Sequence, residues 1–301
     1  MVVSSDLTSD SSRGDAWSIK RMIFWSADYL AEKGVEHSRL DAEWLLAEAL
    51  DMDRLQLYLQ YDRLLNPTEK STFKSLLLRR AKREPLQYIL GKTIFREVEL
   101  VTDKRVLIPR QETEVLVERI LSWGSEKSKG LGSVLDLGTG SGAVGISLAV
   151  EGKCSGVVAT DITRDAIAVA TINAHRNGVE DLLDFRRGSL YKVIDSDEYF
   201  DIIVSNPPYI ADDEARVLEP EVLDWEPGTA LFGGKTGLEI IREIIIGAPS
   251  NLTPEGLLAL EFGLGQAEQI VSQIEKTGMF NSIMVHRDLN GRQRVVTAQR
   301  N

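Results

Sequence analysis

Residues 134–150 read VLDLGTGSGAVGISLAV. Val134 to Leu137 is a short apolar run of the kind that makes a buried strand, and Ala143 to Val150 is apolar over a helical length. Between them lie Gly138, Thr139, Gly140, Ser141 and Gly142. Glycines let a backbone take positive φ and approach a ligand closely, and the amino end of the following helix favours negative charge. Further strands are predicted at Gly156 to Thr160, Leu183 to Arg187, Phe200 to Ser205, Leu257 to Phe262, near Ser282 to His286, and Arg294 to Ala298. Helices fall between them, including Arg164 to Arg176 and Gly237 to Ile246. Such alternation implies a largely parallel sheet covered on both faces. The expected fold is therefore α/β, with a seven-stranded Rossmann-like sheet and no internal repeat.

The glycine loop alone does not name its ligand. Gly140, Gly142 and Gly145 satisfy the dinucleotide pattern, and Asp161 stands at roughly the twenty-residue offset of a ribose-binding acid. Asp161 closes the second strand of the sheet, where a carboxylate can accept both ribose hydroxyls. Against a nicotinamide cofactor stands Asp136, two residues before the first glycine. A carboxylate there suits a ligand bearing an ammonium group better than one bearing a pyrophosphate.

A second stretch, VSNPPYI at 204–210, follows the apolar strand at Phe200. Pro207 and Pro208 stop both sheet ladder and helix, because neither has an N–H to donate. The residue before a proline is pushed towards extended geometry. Asn206 is thus held at a strand's carboxyl end, where open α/β sheets place their ligand crevice. The Asn206 side-chain oxygen and the Pro207 carbonyl can both accept from one incoming NH₂ group, with the Tyr209 ring expected beside them as a flat wall. Such a corner grips a planar amine or amide. The plainer alternative is a rigid turn, since Asn-Pro pairs commonly start one.

The chain has 301 residues, 43% hydrophobic and 27% charged, with a formal net charge of -11. That length suits two domains, or one large α/β unit with an appendage, and the acidic balance argues against a polyanion partner, which needs clustered Lys and Arg. One cysteine, Cys154, excludes an internal disulfide and a Cys-rich zinc site. His37, His175 and His286 are too scattered for a metal centre, so no metal is expected. No run is apolar for long enough to span a bilayer. The reading is a monomer with no direct nucleic acid and no membrane, cytoplasmic, with an organelle stroma or matrix as the alternative.

Residues 1–15 are Ser- and Asp-rich and read as disordered. A helical domain is expected over 16–92. Ile19, Met22, Ile23, Ser26, Tyr29 and Leu30 lie at helical spacing, as do Leu40, Trp44, Leu45 and Ala47 after a Ser38 cap. A further helix from Pro67 carries Phe73, Leu76 and Leu77 inward and ends before Pro85. Arg79, Arg80, Lys82 and Arg83 read as a solvated face, with an acidic docking surface as the other possibility. A β-hairpin linker is expected over 93–110, pairing Ile94 to Leu100 with Val106 to Ile108 about a turn at Asp103 and Lys104. A helix follows at Val115, then a loop over Ser122 to Gly132, and the catalytic domain is assigned to 111–301.

Taken together, DLGTGSG, Asp161 and NPPY resemble the S-adenosylmethionine-dependent methyltransferases that modify planar exocyclic or amide nitrogens. The match narrows with DAEWLLAEAL at 41–50, REPLQYILG at 83–91, LIPRQETE at 107–114, EPGTALFGG at 226–234 and GRQRVV at 291–296. With VSNPPYI, these look like the HemK/PrmC family from about residue 16 to the C-terminus. The resemblance implies a class I methyltransferase sheet and a helical substrate-recognition domain. It further implies methyl transfer to the side-chain amide nitrogen (N5) of the glutamine in the Gly-Gly-Gln motif of peptide-chain release factors. Gly138 to Gly142 would wrap the methionine part of the cofactor and Asp161 its ribose. Asn206, Pro207, Pro208 and Tyr209 would hold the substrate glutamine. Where many relatives have an acid followed by an aromatic beside the adenine, this chain has Ser189 and Leu190, and Leu190 would cover the base by apolar contact. The alternatives are a glutamine of a ribosomal protein and the adenine amine of DNA; a non-enzymatic scaffold that binds the cofactor is the reading outside enzymes.

Overall fold

The structure is a computed structural model and describes residues 16–125, 127 and 130–301, so the expectation for residues 1–15 lies outside the described residues. The chain divides into two compact units, Met1–Leu90 and Gly91–Asn301.

The first unit is helical: α1 (Ile19–Glu32), α2 (Ser38–Leu50), α3 (Arg54–Leu59), α4 (Pro67–Arg80) and α5 (Leu86–Leu90). The Ser18 hydroxyl caps α1. Asn66 and Glu69 form a capping box on α4, with Pro67 at its first turn, satisfying amides that a helix start leaves unpaired. Helix α2 departs from the sequence reading. It begins at Ser38 without a side-chain cap, and Leu40 and Trp44 are exposed while Asp41 and Glu43 are buried. The rotation has a charge-pairing cause. Arg80 Nε donates to Asp41 Oδ2 at 2.7 Å, and Glu43 accepts from Arg39, Arg54 and Tyr58. Of the basic residues expected on a solvated face, Arg80 is engaged in the core and Arg79 on Glu84. The short α3 and α5 escape prediction because fewer than two turns show no periodicity.

The second unit opens with the hairpin β1 (Lys92–Phe95) and β2 (Val98–Val101), paired antiparallel from Phe95↔Val98 to Lys92↔Val101. The turn is at Arg96–Glu97, not at Asp103–Lys104, and Val106 to Ile108 form no strand. What ties β2 down is α8 (Arg164–Arg176): the Val101 amide donates to Asn173 Oδ1 at 2.6 Å. Helix α6 (Gln111–Ser125) runs through the start of the loop expected from Ser122.

The main sheet has seven strands in the order β5-β4-β3-β6-β7-β9-β8. They are β3 (Gly132–Leu137), β4 (Cys154–Asp161), β5 (Leu183–Arg187), β6 (Phe200–Ser205), β7 (Leu252–Glu261), β8 (Phe280–Arg287) and β9 (Gln293–Arg300). The first five are parallel, and β9 runs antiparallel to both β7 and β8. Strand β7 starts earlier than expected. Its ladder pairs Leu252 with Phe200, skips the Pro- and Gly-containing residues 253–256, and resumes at Leu257. One face is covered by α6, α7 (Ala143–Glu151), the hairpin and part of α8. The other is covered by α11 (Glu239–Asn251) and α12 (Ala267–Thr277), the short helices α9 (Pro220–Leu223) and α10 (Gly228–Leu231) lying before them. The chain leaves β3 towards β4 and leaves β6 towards β7, so the carboxyl ends of β3 and β6 flank the switch point where such sheets bind ligands. Among the described residues, no helix is long and apolar enough to cross a membrane.

Candidate active site

Asp136 and Val204 are register partners on β3 and β6, which brings the glycine loop and the Asn-Pro-Pro-Tyr corner to adjacent strand ends. A cavity of about 350 Å³ opens there, within the range of small-molecule sites. Asp136, Gly138, Thr139, Gly140, Ser141, Asp161, Leu190, Asn206 and Pro208 line it, all singled out from the sequence.

Asp136 is buried. Its Oδ2 accepts from the Thr139 hydroxyl at 2.7 Å and from the Gly145 amide at 3.2 Å, and burial pushes its pKa up to about 6. A cation in the cavity would offset that desolvation, whereas a pyrophosphate would be repelled, which argues against the dinucleotide reading. The loop itself is clasped by β4: the Gly138 and Thr139 amides donate to the Thr160 carbonyl, both at 2.9 Å. Asp161 Oδ2 accepts from the Gly140 amide at 3.0 Å, while Oδ1 accepts from the amide and hydroxyl of Thr163, the cap of α8. Gly140 has φ +56, and a Cβ there would point into open space, so the loop offers a bare backbone to the cavity. Gly142 is not a wall but the left-handed N-cap of α7. Leu190 also lies in the left-handed region, with φ 49.

At the corner, Asn206 Nδ2 donates to the Thr113 hydroxyl at 2.9 Å. Pro207 is buried. Tyr209 stands behind the cavity rather than beside it: its ring packs in the α11 layer and its phenol donates to Glu261 Oε1 at 3.3 Å. Burial raises the pKa of that phenol. The corner is clamped from behind. The Ile210 amide donates to the Leu231 carbonyl, the Gly233 amide to the Ile210 carbonyl, and Gln266 Nε2 to the Tyr209 carbonyl. Gly233 is required, because a Cβ there would fall 2.4 Å from the Pro208 carbonyl oxygen.

Sequence reasoning missed Thr113, Glu226 and Glu261. Glu226 is buried and accepts from Arg110 Nη2 at 2.5 Å and from the Ile108 amide at 3.3 Å, tying the LIPRQETE and EPGTALFGG segments across the cavity. Burial raises its pKa, with Arg110 opposing. Glu261 is a lone acid in the apolar run LLALEF, and that anomaly was its available signal.

The donor set fits S-adenosylmethionine: an acid that a cation would keep ionised, a bare glycine loop, a carboxylate at the end of β4, and the apolar Ile162 and Leu190. Fold and site together define a class I methyltransferase dependent on S-adenosylmethionine. Residues 22–91 match the family described as PrmC N-terminal domain and residues 111–220 the one described as Methyltransferase small domain. A release factor glutamine methyltransferase of Geobacter sulfurreducens is 44% identical over 282 residues, covering 94% of this chain and 96% of that one. Its counterpart in Leptospira interrogans is 36% identical over 284 residues, covering 94% and 98%. In fold, the solved structure of a methyltransferase from Pyrococcus furiosus superposes with a TM-score of 0.53, covering 74% of this chain and 98% of that one at 19% identity. The chain belongs to the release factor glutamine methyltransferases.

Proposed function

We propose that this protein transfers a methyl group from S-adenosylmethionine to the side-chain amide nitrogen of the glutamine in the Gly-Gly-Gln motif of peptide-chain release factors. The observation that carries the reading is the Asn206 carboxamide: its Nδ2 is spent on Thr113, which leaves Oδ1 as the acceptor for an incoming NH₂ group beside the glycine loop.

When bound, the cofactor supplies an electrophilic methyl on a sulfonium. The residues that would hold it are Asp136, Gly138 to Ser141, Asp161 and Leu190. An amide nitrogen is a poor nucleophile because its lone pair is delocalised into the carbonyl. Asn206 Oδ1 and the Pro207 carbonyl accept its two N–H bonds, fix its position and favour a pyramidal nitrogen whose lone pair points at the methyl. Such positioning can supply about 7 to 11 kcal/mol. No strong general base is demanded, since the nitrogen sheds its proton once it becomes positive. Tyr209 stiffens the corner through Glu261 instead of stacking on the amide.

Residues 16–92 hold the body of the release factor in this reading, because the cavity admits a single side chain. Leu55 and Leu59 are 69% and 76% exposed there. Replacing both with Asp should raise KM for the intact factor and leave a short Gly-Gly-Gln peptide unaffected. The net charge of -11 favours a basic partner and salt-sensitive association. A monomer in the cytoplasm completes the proposal.

Labelled S-adenosylmethionine offered separately with a release factor, a ribosomal protein and DNA tests it. Label should enter the factor alone and vanish when its Gly-Gly-Gln glutamine is replaced. Labelling of that variant factor would reject the assignment.

A further inference from the structure

The methionine end of S-adenosylmethionine carries an ammonium and a carboxylate on one carbon. Asp136 lines the cavity and suits the ammonium. No acid can meet the carboxylate, and a buried charge left without a partner is costly. The glycine loop has little to offer it. The Gly138 and Thr139 amides donate to the Thr160 carbonyl, the Gly140 amide to Asp161, and the Gly142 amide to the Thr139 carbonyl. Among the described residues, the cationic side chains lining the cavity are Arg105 and Arg110.

The two arginines stand at different ends. Arg105 Nε and Nη2 both donate to Asp103. The next residue, Val106, clusters with Ala166 and Val169 of α8, the helix whose cap Thr163 is held by Asp161. That is the ribose end. Arg110 immediately precedes α6: the Thr113 amide donates to the Arg110 carbonyl at 3.1 Å, and the Thr113 hydroxyl accepts from Asn206. It therefore stands at the end where the methyl is passed on. Arg110 Nη2 donates to Glu226 Oε1 at 2.5 Å, and its side chain is 33% exposed against 1% for Glu226. A guanidinium has five N–H donors in a fixed plane, and this contact uses one. The anchored group keeps donors for a second carboxylate.

We infer that Arg110, anchored by Glu226, binds the α-carboxylate of S-adenosylmethionine, so that Asp136 and Arg110 read the two charges of its amino-acid end. This goes beyond the function proposed above, because it needs the methyl donor and not a particular acceptor glutamine. Arginine can meet a carboxylate through two parallel N–H bonds, which fixes orientation as well as position. Held at both charges, the amino-acid end sets the direction of the sulfonium relative to Asn206. The same grip lets the cavity tell an amino-acid donor from one that has lost its carboxylate.

The test is calorimetric binding of two ligands to the full chain: S-adenosylmethionine, and its decarboxylated analogue, which keeps the ammonium, the sulfonium and the adenosine. The wild-type protein should bind the carboxylated ligand tighter by about tenfold or more, the scale of a charge-assisted hydrogen bond. In Arg110→Gln the Kd for S-adenosylmethionine should rise by about tenfold or more while that for the analogue changes by less than about threefold. Damage to the fold weakens both ligands alike, so the ratio isolates the carboxylate. Should Arg110→Gln not fold with Glu226 left alone, the ratio is read in Arg110→Gln combined with Glu226→Gln. Equal weakening of both ligands would overturn the inference, since Arg110 then only supports the segments that Glu226 joins. An unchanged Kd for S-adenosylmethionine beside a raised KM for the release factor would overturn it as well, assigning Arg110 to the substrate. The readout is binding, so labelling of the Gly-Gly-Gln glutamine can fail while this result stands, and the reverse.

Discussion

Asp161 binds the Gly140 amide at 3.0 Å, so the carboxylate assigned to a ribose also shapes the loop that precedes it. Its other oxygen is held by Thr163, and one side chain thereby joins the glycine loop to the cap of α8. An asparagine at this position has one acceptor oxygen and cannot keep both attachments. Asp161→Asn is expected to raise the S-adenosylmethionine Kd at least tenfold, because ordering each freed loop residue costs about 1–2 kcal/mol. Calorimetric titration checks this, and an unchanged Kd would dismiss the clasp.

Asp136 predicts a pH dependence of the opposite sign to that of an ordinary ion-paired acid. Its pKa rises from 3.8 to about 6 through burial. Between those values the unfolded chain has lost the proton and the folded one retains it, so stability falls as pH rises across the window. Asp136→Asn can still accept from Thr139 and Gly145. It should be more stable than the parent at pH 7, by about 1–3 kcal/mol, with no difference expected at pH 3. Cofactor affinity should weaken in the wild-type protein as pH drops below 6 and be weak at every pH in the variant. Denaturant unfolding at the two pH values and titration at pH 5 and 7 read both effects. A variant less stable than the parent at pH 7 would show that Asp136 is ionised at no cost.

The parts of this site that were legible in the sequence are those whose chemistry is local. Asp136, the glycine loop, Asp161 and Asn206 each sit within a few residues of a strand's end, and the alternation of strands places those ends on one edge. Thr113 and Glu226 act on partners far away in the chain, Asn206 being 93 residues from Thr113 and Arg110 being 116 from Glu226, and no spacing rule connects them. The hairpin turn was misplaced for a related reason. Arg96 takes φ 50 there, where the usual signal is Asn-Gly or Asp-Gly, and Asp103 with Lys104 resembled a turn more closely. In α2 the apolar stripe holds for Leu45 and Ala47, which are buried, and fails for Leu40 and Trp44, because Asp41 and Glu43 can be buried where each meets its counter-charge inside the bundle.

That pairing makes Asp41 a sensitive point of the helical unit. Arg80 and Asp41 are both buried and meet at 2.7 Å, so Asp41→Ala breaks a buried ion pair, a change that costs about 3–5 kcal/mol. Amide exchange in α1 and α2 should accelerate by about a hundredfold or more, while exchange in β3 and β6 stays unchanged. Equal exchange in the variant and the parent would show that the pair adds nothing.

The clamp behind the Asn-Pro-Pro-Tyr corner is tested most directly at Gly233. Its backbone needs no glycine for conformational reasons, so an alanine there acts through its methyl alone. That methyl would lie 2.4 Å from the Pro208 carbonyl oxygen and 2.8 Å from that of Gly237. Both obstacles are backbone, and no side chain can swing aside to relieve them. Either the Pro208 peptide moves, which carries Asn206 with it, or the 228–237 segment lifts away and loses the Ile210–Leu231 and Gly233–Ile210 hydrogen bonds. Overpacking of this kind costs about 1–3 kcal/mol of stability, and a shift of about 1 Å at a catalytic group can cost a hundredfold in rate. Gly233→Ala should therefore lose far more kcat than thermal stability. The S-adenosylmethionine Kd should hold within about threefold, since tenfold corresponds to about 1.4 kcal/mol and the loop after β3 is untouched. Parallel measurement of kcat, Kd and melting temperature decides the point: a rise in Kd together with the fall in kcat would mean that the clamp supports the whole cavity and not the corner.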